Sequence, residues 1–325
     1  MNWKRVFSAL LAAVLLVGAG GCEQTVYEQT DSRHTIGVVL KTMDAEHWME
    51  IRSGMEHAAQ ERDVRLILQY PSDEWAVEEQ KVMLRDMAGQ QPDAILFAPC
   101  DSSDTAWMAE LAAEKDIPLF TVDTAASDAE IPYIGSDNRQ IGRMAYDYLV
   151  SALPEGSRIG VLAGPTKQRS VGDRVSSVSF YCANDAHLTI VSTSSDCKSY
   201  TDAYAAARDQ IEQDGVDAIF CTSAVIGLGA VGATQELGRP DIRLVAVDTQ
   251  EDALNAVQVG TLDALIAQSG YDIGYQAVLW ACDYLDGKAD MQTRYIDNEL
   301  LTAQNIGAFL QQKEEGQQHE EGSAG

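Results

Sequence analysis

The stretch LVAVDTQEDALNAVQVGTLDALIAQSGYDIG, Leu244–Gly274, contains one full period of the pattern that decides the fold. The apolar runs LVAVD and LDALIAQ predict two β-strands, and the apolar spacing over Ala253–Val259 predicts a helix between them. A longer helix is predicted to follow over Tyr271–Asp286. Strands that alternate with helices favour a parallel sheet whose two faces are both covered by helices.

The same alternation extends through the chain in two series. Two series predict an α/β fold with two doubly wound parallel-sheet lobes, because about 300 residues is more than one hydrophobic core usually holds. The other predicted strands are IGVVL, VRLILQY, AILFAP, IPLFTVD and IPYIGSDN in the first series and RIGVLAG, LTIVSTS and DAIFCTS in the second; the other predicted helices cover Trp48–Arg62, Ala76–Gly89, Thr105–Lys115, Gln140–Leu153, Asp173–Asn184, Ala203–Gln213 and Gly227–Leu237.

The charge balance argues against several classes of protein. Fifty acidic residues against 23 basic ones give a formal net charge of −27, which repels nucleic acid and anionic lipid head groups. We interpret this acidity as a source of solubility. The five histidines lack zinc-ligand spacing, and no phosphate-binding loop, nucleophile elbow or paired-carboxylate motif is present. We therefore expect no metal, no cofactor and no catalysis.

The N-terminus reads as an export signal. Lys4 and Arg5 precede the apolar run Val6–Val17, which is shorter than the roughly 20 residues that a membrane-spanning helix needs. Small residues then lead to Cys22, and the run resembles a bacterial lipobox. This predicts a signal peptide over residues 1–21 and a lipid anchor on Cys22. The alternative is an ordinary secretory signal with an incidental cysteine.

The remaining cysteines do not form a recognisable pattern. Their odd number and irregular spacing are typical of neither a disulfide framework nor a zinc site. One bridge, Cys182 with Cys197, is an open alternative for an exported protein, but we favour buried free thiols. The five cysteines are Cys100, Cys182, Cys197, Cys221 and Cys282.

Six stretches together resemble one family. They are IGVVLKTMDAEHWMEIRSGMEHAA, DAILFAPCDSS, IPLFTVDTA, IGSDNRQIGRMAYDYL, the opening stretch Leu244–Gly274 and NELLTAQNI. In this order they are similar to bacterial periplasmic sugar-binding proteins of the ribose/galactose-binding type, which are related to the effector domains of LacI-like repressors. The resemblance covers about Thr35 to Phe309. An export signal, and no helix-turn-helix, precedes the first strand, which argues against the repressor branch.

The resemblance implies two lobes that close on a ligand about a hinge. It places the crossings between lobes near Ser136–Asn138, Gln268–Ser269 and Met291–Arg294. The implied organisation is a tether over residues 22–34, an N-terminal lobe over 35–136 plus 269–292, a C-terminal lobe over 137–268 plus 293–310, and a disordered acidic tail over 311–325.

The resemblance also implies ligand-binding residues at the carboxyl ends of strands, where such sheets bind ligands. Asp123 and Asp248 each end a strand and are implied to accept hydrogen bonds from sugar hydroxyls; the alternative role is to cap the next helix. Gln268 ends a strand near a crossing. Arg174 is implied to reach a hydroxyl or to pair with an aspartate, and Arg169 is a weaker alternative to it.

The loop after the first strand is implied to supply an aromatic platform. Trp48 is predicted to stack on the sugar, and the alternative is a core tryptophan on the first helix. His47 stands where a second aromatic residue is common, and Asp44 and Lys41 precede it in the same loop.

Because of two departures from the family pattern, we do not assign ribose or galactose as the ligand. Thr124 stands where an arginine commonly follows the aspartate, and Ser223-Ala224 replaces a usual Asn-Asp. We expect an extracytoplasmic receptor that binds a sugar-like solute and delivers it to the permease of an ABC-type importer. The alternatives are a receptor that signals to a membrane kinase or chemoreceptor without transport and, less favoured, an exported enzyme.

Overall fold

A computed structural model describes residues 25–26 and 32–313, and it contains two twisted sheets. The first sheet has the order β1-β3-β2-β4-β5-β6-β12 and the second has the order β13-β11-β10-β9-β7-β8. The prediction of two parallel-sheet α/β lobes is confirmed. The strands are β1 (Thr25–Val26), β2 (His34–Val39), β3 (Val64–Gln69), β4 (Ala94–Phe97), β5 (Leu119–Val122), β6 (Tyr133–Ser136), β7 (Ser157–Leu162), β8 (Leu188–Ser194), β9 (Ala218–Cys221), β10 (Arg243–Val247), β11 (Ala264–Gln268), β12 (Arg294–Ile296) and β13 (Asn298–Thr302).

Helices connect most of the parallel strands, because parallel neighbours need crossover connections, whereas a loop without a helix joins β5 to β6. Only the pairs β1–β3 and β11–β13 are antiparallel among the strand pairs that the structure describes. The helices are α1 (Glu46–Arg62), α2 (Val77–Gly89), α3 (Ala106–Glu114), α4 (Asn138–Ala152), α5 (Arg169–Asn184), α6 (Tyr200–Asp209) continued by a π-helical turn (Gln210–Asp214), α7 (Ala224–Glu236), α8 (Glu251–Gln258), α9 (Gly270–Leu285) and a C-terminal helix (residues 306–313).

The central strands are apolar throughout because both of their faces are covered. All four residues of β4, for example, are buried, and the same holds for β5 and β9. In the first lobe, α1 and α9 pack closely together over the sheet. Gly54 and Gly274 allow this approach, because a Cβ atom on either would overlap a backbone carbonyl oxygen of the opposite helix.

Gly274→Ala is expected to lower the free energy of unfolding by about 1–3 kcal/mol, because the new methyl group would overlap the Ile51 carbonyl oxygen. Gly89→Ala is the matched control, since a Cβ there meets nothing within 4 Å. Denaturant titration of both variants checks this. An unchanged midpoint in Gly274→Ala would show that the two helices can move apart at little cost.

The chain crosses between the sheets at three single residues in its described part. Asp137 follows β6, Ser269 follows β11 and Asp297 follows β12. The third crossing was predicted at Met291–Arg294 and is wrong, because β12 pairs with β6 in the first sheet, with Arg294 opposite Ile134. Residues up to Ile296 therefore belong to the N-terminal lobe, not to the C-terminal one.

Both ends of the folded part differ from expectation. The tether predicted over residues 22–34 contains β1, which pairs with Ile67 and Leu68 at the edge of the first sheet, and His34 already begins β2. Of the tail predicted to be disordered over residues 311–325, residues 311–313 instead continue the C-terminal helix, and the remainder lies outside the described residues. The ammonium of Lys313 lies 2.9 Å from Glu50 Oε1 on α1, so this helix is tied to the first lobe.

The five cysteines are all free, so the alternative Cys182–Cys197 bridge is not formed. Four are buried and Cys182 is partly buried. Burial raises the pKa of the Cys100 thiol to about 12, which keeps that thiol protonated. The predicted signal peptide and Cys22 lie outside the described residues. Within that described part, no helix combines the length and the apolar character needed to cross a membrane.

Candidate functional site

A cavity of about 360 Å³ lies between the lobes at the carboxyl ends of both sheets. The cavity is lined by the loop after β2 in the first lobe and by the N-terminal ends of α5 and α7 in the second. The seven favoured ligand-binding residues all line this cavity: Asp44, His47, Trp48 and Asp123 from the first lobe, and Arg174, Asp248 and Gln268 from the second.

Arg174 organises the second-lobe wall. It is 5% exposed, and its Nη2 donates to Gln268 Oε1 at 2.9 Å, while Gln268 Nε2 donates to Asp248 Oδ1. The other guanidinium nitrogens donate to Asn138 Oδ1 at 2.8 Å and to the Thr222 carbonyl oxygen at 2.7 Å. Arg174 thus fixes the amide that orients Asp248, and among the described residues it forms no ion pair with an aspartate.

His47 and Asp123 form an ion pair on the first-lobe wall, with 2.7 Å between His47 Nε2 and Asp123 Oδ1. Burial opposes charge on the ring, but the hydrogen bond and charge of Asp123, with the charges of Asp248 and Glu50, raise the pKa of His47 to about 9. Burial likewise opposes charge on Asp123, but His47, Lys41 and the Thr124 hydroxyl hold the pKa of Asp123 well below its usual range. The pair is therefore charged at neutral pH.

Both strand-end aspartates have left-handed backbone conformations, with φ of 63° at Asp123 and 82° at Asp248. Residues other than glycine rarely adopt this region, and such strain persists only where the surroundings enforce it. At Asp123 a buried hydrogen bond holds the backbone in this conformation. The Asp123 carbonyl oxygen accepts a hydrogen bond from the buried Tyr133 hydroxyl at 2.8 Å.

Lys41 is the most buried cation of the cavity wall, with 1% of its surface exposed. Its ammonium donates to Thr124 Oγ1 at 2.8 Å and to Gln168 Oε1 at 2.9 Å, and it lies 5.5 Å from the centre of the Trp48 ring. Gln168 belongs to the second lobe, so this contact joins the lobes. Thr124, where the family pattern has arginine, thus lies beside a lysine.

The family model described as a periplasmic binding protein domain matches residues 36–289. This chain belongs to the periplasmic binding protein family.

Named relatives and solved structures agree with that assignment. The binding protein is 26% identical over 261 residues to the ribose import binding protein RbsB of Bacillus subtilis (strain 168), which covers 80% of this chain and 84% of the relative. An ABC transporter periplasmic solute-binding protein from Actinobacillus succinogenes 130z with bound D-allose superposes with a TM-score of 0.79 at 21% identity, over 85% of this chain and 100% of that one. A structure described as the XylFII–LytSN complex gives a TM-score of 0.77 at 24% identity, over 84% and 99%.

In this binding protein Trp48 occupies a core position as well as a place on the cavity wall. It is 3% exposed, packs in the first-lobe core and donates from Nε1 to Glu74 Oε1 at 2.9 Å. Stacking of a ligand on Trp48 stays a prediction. Arg169 does not line the cavity; its Nη1 donates to the Ala126 carbonyl oxygen at 2.6 Å.

The loop after β3 was overlooked in the sequence. It brings Asp73, Glu74 and Trp75 to the cavity, and Lys198 of the second lobe lies 5.2 Å from the Trp75 ring centre. The signal was present, because VRLILQY is a predicted strand and its carboxyl end lies beside that of IGVVL. Gln168 had the same signal, because it lies in the loop after the predicted strand RIGVLAG, but no role was predicted for it.

The lobes of this binding protein are closed on each other. Ser102 of the first lobe contacts the second lobe twice, since its amide donates to the Lys167 carbonyl oxygen at 3.1 Å and its hydroxyl accepts from the Arg169 amide at 3.0 Å. The Glu251 amide at the start of α8 donates to Glu46 Oε2 at 2.9 Å. A ligand in the cavity would touch both lobes at once.

Proposed function

We propose that this chain is an extracytoplasmic receptor that binds a sugar or sugar-like solute between its lobes and delivers it to an ABC-type importer. The observation that carries the proposal is the convergence of Asp123, Asp248, Gln268 and Arg174 on one cavity between the lobes. At about 360 Å³ the cavity falls in the range of small-molecule sites.

The chemistry of the cavity wall supports a polyhydroxylated ligand. Hydroxyl groups both donate and accept, so they need carboxylates as acceptors and amides or cations as donors. Asp123 and Asp248 supply the acceptors from opposite lobes. A hydrogen bond from His47 holds the Asp123 carboxylate in place, and one from Gln268 holds that of Asp248. A ligand that bridges the two would stabilise the closed arrangement.

A thermal-shift screen of monosaccharides, polyols and related small solutes tests the proposal. A ligand at 100 times its dissociation constant should add about 2.7 kcal/mol to the free energy of unfolding. If no polyhydroxylated solute raises the melting temperature, the proposal is wrong.

Asp248→Asn is expected to weaken binding of the ligand found in that screen by about 10- to 150-fold, because a charge-assisted hydrogen bond contributes about 1.5–3 kcal/mol. Asparagine tolerates the left-handed backbone at this position, so the fold should be kept. Calorimetry measures the affinity. Asp252→Asn is the control, since Asp252 is exposed on α8 and does not line the cavity. Equal affinity in both variants would remove Asp248 from the site.

Anchoring by a lipid on Cys22 is part of the proposal. Cys22→Ser should move the protein from the membrane fraction to the soluble fraction, because several acyl chains hold a protein firmly and a serine at this position cannot carry them. Fractionation and intact-mass measurement check this. Cleavage elsewhere with an unmodified Cys22 would instead support an ordinary secretory signal.

A sensing receptor is the second candidate, and the similarity to XylFII, solved with LytSN, favours considering it. Deleting the gene for this chain separates the two functions. Loss of solute uptake supports delivery to an importer, whereas intact uptake with a lost transcriptional response supports sensing. The relatives are binding proteins rather than enzymes, which leaves an exported enzyme as the least supported reading.

A further inference from the structure

The cavity holds a buried positive charge without a carboxylate partner. The Lys41 ammonium contacts two neutral oxygen atoms and the Trp48 ring, and within the described residues no carboxylate oxygen lies within 4 Å of it. Buried lysines are rare unless they are paired. An ammonium has three donors, and these two hydrogen bonds use two of them.

The neighbouring carboxylates are engaged elsewhere. Asp123 accepts from His47 through Oδ1 and from the Thr124 hydroxyl through Oδ2, and Glu74 accepts from Trp48. Glu74 is partly buried on the same wall and keeps its negative charge, so Lys41, protonated His47, Asp123 and Glu74 together sum to zero, yet neither carboxylate contacts the Lys41 ammonium directly. Asp44 and Asp73, which also line the cavity, are exposed and remain hydrated.

A second hydrogen-bond donor that lacks an acceptor in the described part of the chain, His47 Nδ1, lies on the same wall as the Lys41 ammonium. His47 Nδ1 is buried and has no hydrogen-bond partner among the described residues. When His47 pairs with Asp123 as a cation, both of its ring nitrogens carry protons, so Nδ1 is a donor without an acceptor. His47 also lies in the first turn of α1, whose N-cap residue Ala45 makes no side-chain capping bond, so the positive end of this 17-residue helix faces the same region.

The second-lobe wall has the opposite character. Arg174 and Asp248 balance each other in charge, and Asp248 is held by an amide rather than by a cation. A carboxylate there suits hydroxyl donors and disfavours an acid group. The cavity is thus polarised, with a buried cation that lacks a direct carboxylate partner among the described residues on the first lobe and a hydroxyl acceptor on the second.

We propose that the ligand is a hydroxylated carboxylate of the aldonic or uronic acid class, whose acid group binds beside Lys41 and His47 while its hydroxyls face Asp248 and Gln268. This rests on the proposed function, because it specifies the solute of the same cavity. The carboxylate supplies the acceptors that the Lys41 ammonium and His47 Nδ1 lack.

Matched pairs of neutral and acidic sugars test the inference in the unmodified protein. Calorimetry at pH 7 compares D-galactose with D-galacturonate, D-glucose with D-glucuronate, and D-ribose with D-ribonate. In at least one pair the acid should bind about 10- to 100-fold more tightly than its neutral partner. Neutral sugars that bind as tightly as their acids in every pair would overturn the inference and leave the proposed function intact. If neither these sugars nor the solutes of the wider screen bind, the proposed function itself fails.

Lys41→Met should remove the preference for the acid, measured as the ratio of the affinities for the acid and for its neutral partner in the same variant. Lys167→Met is the control, because Lys167 is exposed on the second lobe and does not line the cavity. If Lys41→Met melts early, Lys41→Gln keeps a hydrogen-bond donor without the charge and carries the same expectation. An acid preference that survives in a folded Lys41 variant would overturn the assignment of the acid group to this lysine.

Discussion

Replacing Trp48 with alanine should lower the free energy of unfolding by about 3–5 kcal/mol. The indole is 3% exposed and packs in the core of the first lobe, so its removal leaves a large cavity. It also leaves Glu74 Oε1 without the indole N–H that it accepts from at 2.9 Å. Denaturant titration of the ligand-free protein measures the loss.

Trp75 offers the matched control, because it lines the same cavity and is only partly buried. Trp75→Ala should retain most of the wild-type stability. Trp48→Phe keeps much of the core volume and an aromatic face, so its ligand affinity isolates stacking from packing. A Trp48→Ala variant as stable as the wild type would show that the tryptophan serves the ligand alone.

Raising the pH from about 6.5 to about 9 should lower the free energy of unfolding by roughly 3 kcal/mol through His47 alone. Its pKa is raised to about 9 in the folded protein, against 6.5 for an unperturbed histidine. A raised pKa stabilises the fold fully below pH 6.5, and this contribution is lost as the pH rises through 9. Asp123 sets the acid side of the stability profile. Because its pKa is lowered in the folded protein, its contribution to the free energy of unfolding is lost only as the pH falls into the acid range.

Asp123→Asn should flatten this pH dependence, because the carboxylate that holds the proton on His47 is gone. Asparagine suits the left-handed backbone there, which limits other effects of the change. His187→Gln is the control and should keep the wild-type profile, since the hydrogen bond that the His187 ring makes within the described part of the chain goes to the neutral Leu153 carbonyl oxygen. A profile as steep in Asp123→Asn as in the wild type would mean that other groups cause it.

The elements of the fold that the sequence predicts correctly are those marked by an apolar run or a helical spacing within the segment itself. The apolar runs LVAVD and LDALIAQ have buried counterparts in β10 and β11, because strands covered on both faces are apolar along their whole length. The strand β12 has no such run. Its residues RYI are partly or fully exposed at the edge of the sheet, so the third crossing was misplaced.

The sequence predicts only part of the cavity lining, because some of its contacts join segments that are far apart in the chain. Asp123 and Asp248 follow apolar strands, and the carboxyl ends of parallel strands meet along one edge of the sheet, so position alone predicts that they line a cleft. The partnership of Lys41 with Gln168 spans 127 positions and depends on how the lobes close. No pattern within either segment encodes such a contact.

Asp123 and Asp248 have left-handed backbone conformations that cost stability, while their side chains line the proposed ligand site. Glycine at position 123 or 248 would relieve a backbone conformation that costs other residues on the order of 1 kcal/mol, and it would delete a carboxylate of the cavity. Engineering this scaffold for heat resistance by consensus or library methods would therefore tend to erase its recognition chemistry. A biosensor designer should hold both aspartates fixed and seek stabilising changes in the cores.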